Sequence, residues 1–259
     1  MCLLDEFSEK GYLIINLPKS SFINQIINII KIEKDKLEKI ENTDVFHSKL
    51  ELLQKRINDI GARKYLVSDM KNILLKLFNK NLIAAQNVVY LRGVRPINKQ
   101  NIKVEYLPMH RENFYCENYI DSQINVHFPI LNYNDKTAMK FIDGSHNFPD
   151  KNIIFKKEDS NYSGVKRYSK GHKLGLPYNP KIIQNLEDIG KPIRTLCRPG
   201  QVMLFSTKLI HGGGFNESNN IRYSLDFGIL PIHLINLQKR NHFANYDDNS
   251  CHYSMLSIS

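Results

Sequence analysis

No run of apolar residues in this chain approaches bilayer-spanning length, and its cysteines include no close pair. The first absence excludes a helical membrane span, which needs about 20 consecutive apolar residues. Met1-Cys2-Leu3-Leu4-Asp5-Glu6 meets acidic residues too early for a secretory leader, so a cytoplasmic location is expected. Cys2, Cys116, Cys197 and Cys251 stand far apart with no CxxC spacing. That pattern argues against a zinc knuckle or disulfide framework and for reduced thiols. Repeats, low-complexity linkers and nucleic-acid motifs are also missing. The net charge of +10 and pI near 9.3 come from scattered residues. A small anionic or polar molecule is therefore the expected partner, with no nucleic acid and no membrane, and oligomeric state is not readable. What remains is ordinary for one globular domain: 259 residues, 42% hydrophobic and 24% charged.

Periodicity divides the chain. Gly11 to Leu17 reads as a short strand ending at Pro18. From about Ser20 to Asn79 apolar residues recur at helical spacing, in stretches carrying Phe22, Ile26 and Ile30, then Leu50, Leu53 and Ile57 up to Gly61, then Met70, Leu74 and Phe78. Beyond residue 84 strands take over: Ala85 to Arg92, Ile124 to Ile130, Lys140 to Ile142, Ile193 to Leu196, Val202 to Phe205 and Arg222 to Leu230. Helices first and strands afterwards predict an α+β chain with an antiparallel barrel or jelly-roll core. The expected organisation is a single domain: a mainly helical part over 1–84, a core over 85–232 with a lid-like insertion over 151–191, and a C-terminal tail over 233–259.

Three residues carry the chemistry. His110 and Glu112 are two positions apart, so on a strand both side chains reach one face. His211, before Gly212-Gly213-Gly214, can complete the set from a neighbouring strand. Two imidazoles and one carboxylate on one face suit non-haem Fe(II) and leave the opposite positions open. Arg222 follows His211 by eleven residues, placed to grip the far carboxylate of a keto-acid on that iron. It can alternatively pair with a nearby acid such as Asp226.

From about residue 85 to 232 the chain resembles the iron(II)/2-oxoglutarate-dependent oxygenases, most closely the phytanoyl-CoA dioxygenase-like branch. The resemblance rests on His110-x-Glu112, on Asp143-Gly144-Ser145-His146, on Arg198-Pro199-Gly200 leading through Phe205 to His211, and on Asn216, Ser218 and Arg222. It implies a double-stranded β-helix (jelly-roll, cupin-like) flanked by N-terminal helices. It also implies iron on His110, Glu112 and His211, 2-oxoglutarate on Arg222, and O2 as oxidant. Two positions depart from the branch's pattern: Glu112 stands for the commoner Asp, and Asp143 for proline.

Asn125, Gln123 and Arg92 sit on strands that can face the same cavity, and the first two are assigned to the co-substrate. His127 reads as a packed or hydrogen-bonded strand residue and His146 as a turn or pocket residue. Lys166 to Lys173 is a basic stretch suited either to an anionic substrate over the iron or to solvent. With Tyr106, Tyr115, Tyr162 and Tyr168 it points to a polar small-molecule substrate. The branch includes oxygenases associated with bacterial surface carbohydrates, so hydroxylation of a sugar or activated sugar is expected. Amino-acid or natural-product hydroxylation is the alternative. A cupin-type isomerase or epimerase would not need Arg222, and a carbohydrate-binding barrel would need none of these residues.

Overall fold

A computed structural model describes residues 3–78, 82–112, 123–156, 163–166, 168–177, 181–231 and 253–258. The chain opens with helix α1 (Leu3–Lys10) and strand β1 (Tyr12–Asn16). Four helices follow: α2 (Ser21–Leu37), α3 (Thr43–Asp59), α4 (Ala62–Asp69) and α5 (Lys71–Phe78). Ser20 Oγ caps α2 by accepting from Ile23 N at 3.2 Å, and Asn42 Oδ1 caps α3 by accepting from Val45 N at 3.0 Å. Next come β2 (Leu82–Gln86), β3 (Tyr90–Val94), the one-turn helix α6 (Ile102–Glu105), β4 (Ile124–Leu131) and β5 (Lys140–Phe141). The remainder is α7 (Lys170–Lys173), α8 (Leu186–Ile189), β6 (Ile193–Arg194), β7 (Gln201–Ser206), β8 (His211–Gly212), β9 (Arg222–Pro231) and β10 (Tyr253–Ser257).

Every named strand pair is antiparallel. A seven-stranded sheet runs β1-β7-β4-β9-β2-β10, with β3 also on β9; a three-stranded sheet runs β6-β5-β8. The large sheet has two chemically different faces. Leu91, Val126, Phe128, Val202, Leu204, Leu225, Phe227 and Ile229 join Phe22, Ile26, Phe46, Leu50, Leu66 and Leu74 of the helices in one buried cluster. Their strand neighbours, at odd positions on β4 and β7 and even positions on β9, point away from the helices. On that inner side Met203 and Phe205 pack with Tyr12, Met139, Phe141, Cys197 and Leu209.

Several sequence expectations are corrected. The strand expected from Ala85 to Arg92 is two strands, because Asn58 of α3 binds both backbone groups of Val89 at 2.8 and 2.9 Å and diverts the chain. Helix α1, unforeseen, ends at Gly11, whose φ of +82° suits glycine. The segment expected as a tail supplies β10, which pairs with β2, and Ile258 is buried in the helical cluster. The insertion is also tied down: Lys170 and Lys173 of α7 pair with Glu51 of α3 at 2.6 and 3.5 Å. Both lysines remain about half exposed beside Glu51. No helix among the described residues is long and apolar enough to cross a membrane.

Candidate active site

The site lies where the two sheets meet. Residues 110–112 do not form a regular strand, but they pair as one would. His110 N donates to His211 O at 2.8 Å, His211 N to His110 O at 3.0 Å, and Glu112 N to Thr207 O at 3.0 Å. His110 and Glu112 therefore share a face, and Arg111 points the opposite way. Arg111 is fully buried and donates to Asp150, to the backbone oxygen of Ser145, and to Phe148 O at 2.8 Å. This clamps the Asp143-Gly144-Ser145-His146 turn behind the pair. Ser145 Oγ in turn accepts from Ile210 N at 2.8 Å, next to His211.

Donor atoms from His110, Glu112 and His211 all lie within 4.8 Å of one another. Glu112 Oε1 is 3.6 Å from His110 Nε2 and 3.4 Å from His211 Nε2. Nδ1 of His110 donates to Pro108 O at 2.8 Å, and Nδ1 of His211 to Leu209 O at 2.9 Å. A carbonyl only accepts, so each ring carries a hydrogen on Nδ1, and a neutral ring presents its Nε2 lone pair on the side of the carboxylate. This is the tautomer a metal requires, fixed by backbone rather than by the metal. Burial holds the His211 pKa down, with His110 adding to the effect, which favours the neutral, ligating ring. Desolvation opposes ionisation of Glu112, yet the two rings, donating from Nε2 when protonated, outweigh it and hold its carboxyl well below the usual carboxylate range; a metal would take the place of those protons. The donor set fits a divalent ion held on one side.

Arg222 opens β9, placed there by the turn before it. Asn216 Nδ2 donates to Val94 O at 2.7 Å and Asn220 O at 2.8 Å, while Ser218 Oγ donates to Asn216 Oδ1 at 2.7 Å. The guanidinium is 3% exposed, yet its Nε and Nη1 have no hydrogen-bond partner among the described residues. Its carbon stands 5.3 Å over the Tyr133 ring. Asp226, the acid considered for it, instead holds His127 Nδ1 at 2.5 Å and lies 3.4 Å from Arg92 Nε. Tyr133 and, through its charge, Asp226 still favour the guanidinium, and each buried donor without an acceptor costs about 1–3 kcal/mol.

Gln123 and Asn125 join each other, Nε2 to Oδ1 at 2.7 Å, with Asn125 on the inner side of β4. His127 is fully buried on the same side, as a hydrogen-bonded strand residue. His146 donates from Nε2 to Ser8 O at 3.0 Å and holds α1 to the turn. Tyr106 stacks on Phe215 with ring centroids 4.5 Å apart, and Tyr168 is 62% exposed. Tyr115 and Tyr162 lie outside the described residues, as do Cys2, Cys116 and Cys251. Two residues of consequence were not foreseen as such. Arg111 gives no signal of its own between its neighbours, and Asp226, offered only as the alternative partner of Arg222, pairs with His127. The alternation Asn125, His127 on β4 was the available signal for the latter.

The model of the phytanoyl-CoA dioxygenase (PhyH) family matches residues 30–224, well over half the chain. No curated sequence matches. Among solved structures, the non-heme alpha ketoglutarate dependent carbocyclase SnoK from nogalamycin biosynthesis is 12% identical, with 98% of this chain and 95% of that one covered and a TM-score of 0.52. The epimerase SnoN, in complex with Fe3+, alpha ketoglutarate and nogalamycin RO, is 12% identical, with 88% and 82% covered and a TM-score of 0.53. The non-heme monooxygenase ThoJ is 12% identical, with 88% and 77% covered and a TM-score of 0.52. At these identities the structures speak for the fold. The family match goes further: the chain belongs to the phytanoyl-CoA dioxygenase family and is an iron(II)- and 2-oxoglutarate-dependent oxygenase.

Proposed function

We propose that His110, Glu112 and His211 are the iron ligands, that Arg222 binds the distal carboxylate of 2-oxoglutarate, and that the enzyme hydroxylates a polar small molecule. One observation carries the reading. A preset two-histidine, one-carboxylate cluster occurs together with a buried guanidinium on β9 whose Nε and Nη1 lack an acceptor among the described residues. We read the two antiparallel sheets as the double-stranded β-helix, and the described parts as one domain.

Bound iron with 2-oxoglutarate and O2 supplies the oxidising power. The chain's own residues supply geometry. His110 and His211 offer Nε2 on rings locked by backbone carbonyls, and Glu112 offsets the ion's charge. Arg222 fixes the far end of the co-substrate through two free N–H groups. Phe141 and Phe205, with ring centroids 5.9 and 4.8 Å from His211, keep that flank of the site apolar. Asn125 and Gln123 supply amide groups that we assign to the co-substrate side. Glu112 fills the position a halide would need, which favours hydroxylation over halogenation.

For substrate we favour a sugar or activated sugar in surface-carbohydrate biosynthesis. A natural product is the second reading, on the likeness to enzymes of nogalamycin biosynthesis, among them an epimerase and a carbocyclase. Anaerobic Fe(II) and 2-oxoglutarate should give a metal-to-ligand charge-transfer band that Arg222→Ala weakens. Succinate release stimulated by candidate sugars, and not by aglycones, would support the substrate class. Metal binding with no response to the keto-acid would refute the reading.

A further inference from the structure

The loop over residues 206–211 touches two of the three cluster residues. Thr207 O accepts from Glu112 N at 3.0 Å, and Leu209 O accepts from His211 Nδ1 at 2.9 Å. The seat of this loop therefore decides how Glu112 enters the cluster and which way the His211 ring turns. Its Leu209 and Ile210 have no exposure, and it is held by the N-terminal corner between α1 and β1. Gly11 O accepts from Ser206 N at 2.9 Å, and Ser206 O from Leu209 N at 2.9 Å. Three hydrogen bonds in series thus run from Gly11 to the His211 ring.

The other flank of the corner is bonded to the 143–146 turn. The last carbonyls of a helix have no partners within it, and α1 finds donors in that turn. Gly144 N donates to Lys10 O at 3.0 Å and His146 Nε2 to Ser8 O at 3.0 Å, while Gly11 N closes on Phe7 O at 2.8 Å. The same turn grips the loop through Ser145 Oγ, which accepts from Ile210 N at 2.8 Å. Gly11 stands at the junction. Its φ of +82° favours glycine, and a Cβ there would lie 2.5 Å from His146 Nδ1 and 2.9 Å from Leu209 Cδ1. Leu209 is packed in one buried cluster with Tyr12, Met203 and Phe205, so a methyl on residue 11 has no room unless the loop moves.

We propose that the α1–β1 corner, with Gly11 at its centre, is a positioning element of the metal site, setting the loop whose carbonyls orient His211 and Glu112. The proposal rests on the assignment of His211 to the metal. A ligating histidine depends on the acceptor of its second nitrogen, and loss of such a partner typically weakens metal binding about 10- to 100-fold. Leu209 O is that acceptor. Gly11 acts on it by two routes, the hydrogen bond through Ser206 and the contact with the Leu209 side chain. A purely structural glycine would show itself in stability alone; a positioning one changes the metal affinity of the folded protein.

Gly61 supplies the control. Its φ is +87°, but a Cβ there would meet only its neighbour Tyr65, at 3.4 Å, in the turn between α3 and α4. Gly11→Ala and Gly61→Ala should both lower Tm through the same backbone strain. Competition with a chelator for Co(II), at a temperature where circular dichroism shows each variant folded, should separate them. Gly61→Ala should keep wild-type affinity and Gly11→Ala should bind about 10- to 100-fold more weakly. Proton NMR of the Co(II) protein gives a reading independent of affinity, because the paramagnetic ion shifts the Nδ1–H signals of ligating rings clear of the rest. Gly11→Ala should move the His211 signal more than that of His110, which Pro108 O holds. His146→Phe keeps a ring beside Gly11 and removes the hydrogen bond to Ser8 O; it should weaken Co(II) about 2- to 10-fold and carries the test if Gly11→Ala does not fold. Wild-type affinity and unmoved signals in Gly11→Ala, or in His146→Phe where the former does not fold, would overturn the role of the corner, provided that His211→Ala still weakens binding. Wild-type affinity in His211→Ala would instead remove the metal assignment beneath it.

Discussion

Replacing Arg222 by methionine should make the ligand-free protein more stable and the enzyme worse. The guanidinium is 3% exposed, with Nε and Nη1 unpartnered, and burial disfavours its charge. An apolar side chain of similar length removes that desolvation cost, and such replacements commonly stabilise by about 1–4 kcal/mol. The usual objection is that the partner acid is stranded. Here Asp226 keeps His127 at 2.5 Å and Arg92 at 3.4 Å, so the gain should survive at about 1–3 kcal/mol. For a chain of this size each kcal/mol moves Tm by about 2–4 °C. Co-substrate works the other way. At a hundredfold excess over Kd, wild type gains about 2.7 kcal/mol from binding. The variant forgoes two charge-assisted bonds of about 1.5–3 kcal/mol each, roughly 100-fold to 10,000-fold in Kd. Thermal melts of Mn(II)-loaded protein followed by circular dichroism should therefore start with Arg222→Met above wild type, and 2-oxoglutarate at that excess should raise wild type by the equivalent of about 2.7 kcal/mol and the variant by about 0.4 kcal/mol or less, closing or reversing the gap. A variant that melts lower in both conditions, or rises as much as wild type on adding the keto-acid, would refute the reasoning.

Three further outcomes follow from named contacts. Arg111→Met should destabilise by about 3–5 kcal/mol and weaken metal binding about 10- to 100-fold, because it frees the 145–150 turn behind His110 and Glu112; chelator competition and melts would report both. Desolvation raises the Glu105 pKa, but His47, Arg95 and Asn101 N–H outweigh it and hold the carboxyl below its ordinary value. Its stabilisation is complete above the unfolded pKa of about 4.3 and fades as pH falls through the folded one; Glu105→Gln should cost about 3–5 kcal/mol at pH 7 and flatten the acid limb of Tm between pH 5 and 3. Removing residues 253–259 should expose the β2 edge and uncover the Ile258 pocket, lowering Tm and raising hydrogen exchange at Leu82–Gln86 in mass spectrometry.

The parts of the site legible in the sequence are those fixed by short spacing. His110 and Glu112 share a face because they are two apart, and Arg222 follows a tight turn built by Asn216 and Ser218. The helical half was legible because α2 and α3 bury one stripe each, so period and burial coincide. The partner of Asp226 was not legible. Arg222 is four residues away in sequence, whereas His127 reaches Asp226 only through the β4–β9 register, in which the two are directly opposite. The break between β2 and β3 depends likewise on Asn58, a helix residue whose amide looks like any surface asparagine in the sequence. Strand β10 was not legible because its partner β2 lies far away in sequence and nothing local signals the pairing.

The same register explains why a sheet strand as apolar as β4 can carry buried polar side chains. Val126, Phe128 and Ile130 face the helices and are at most 1% exposed, while Asn125 and His127 between them face the other sheet. Each fully buried large apolar side chain contributes about 1.5–3 kcal/mol, so three of them on one strand outweigh one or two unpartnered polar atoms at about 1–3 kcal/mol each. Stability is thus concentrated on the helical face, and the inner face tolerates Arg222 Nε and Nη1 and His127 Nε2 without partners among the described residues. A substitution on the helical face, such as Phe128→Ala, should then cost about 3–5 kcal/mol while leaving the affinity of the folded fraction for 2-oxoglutarate unchanged. Arg222→Met should do the reverse, sparing stability and losing that affinity. Finding both effects in either variant would mean that the two faces of the sheet are not energetically separate.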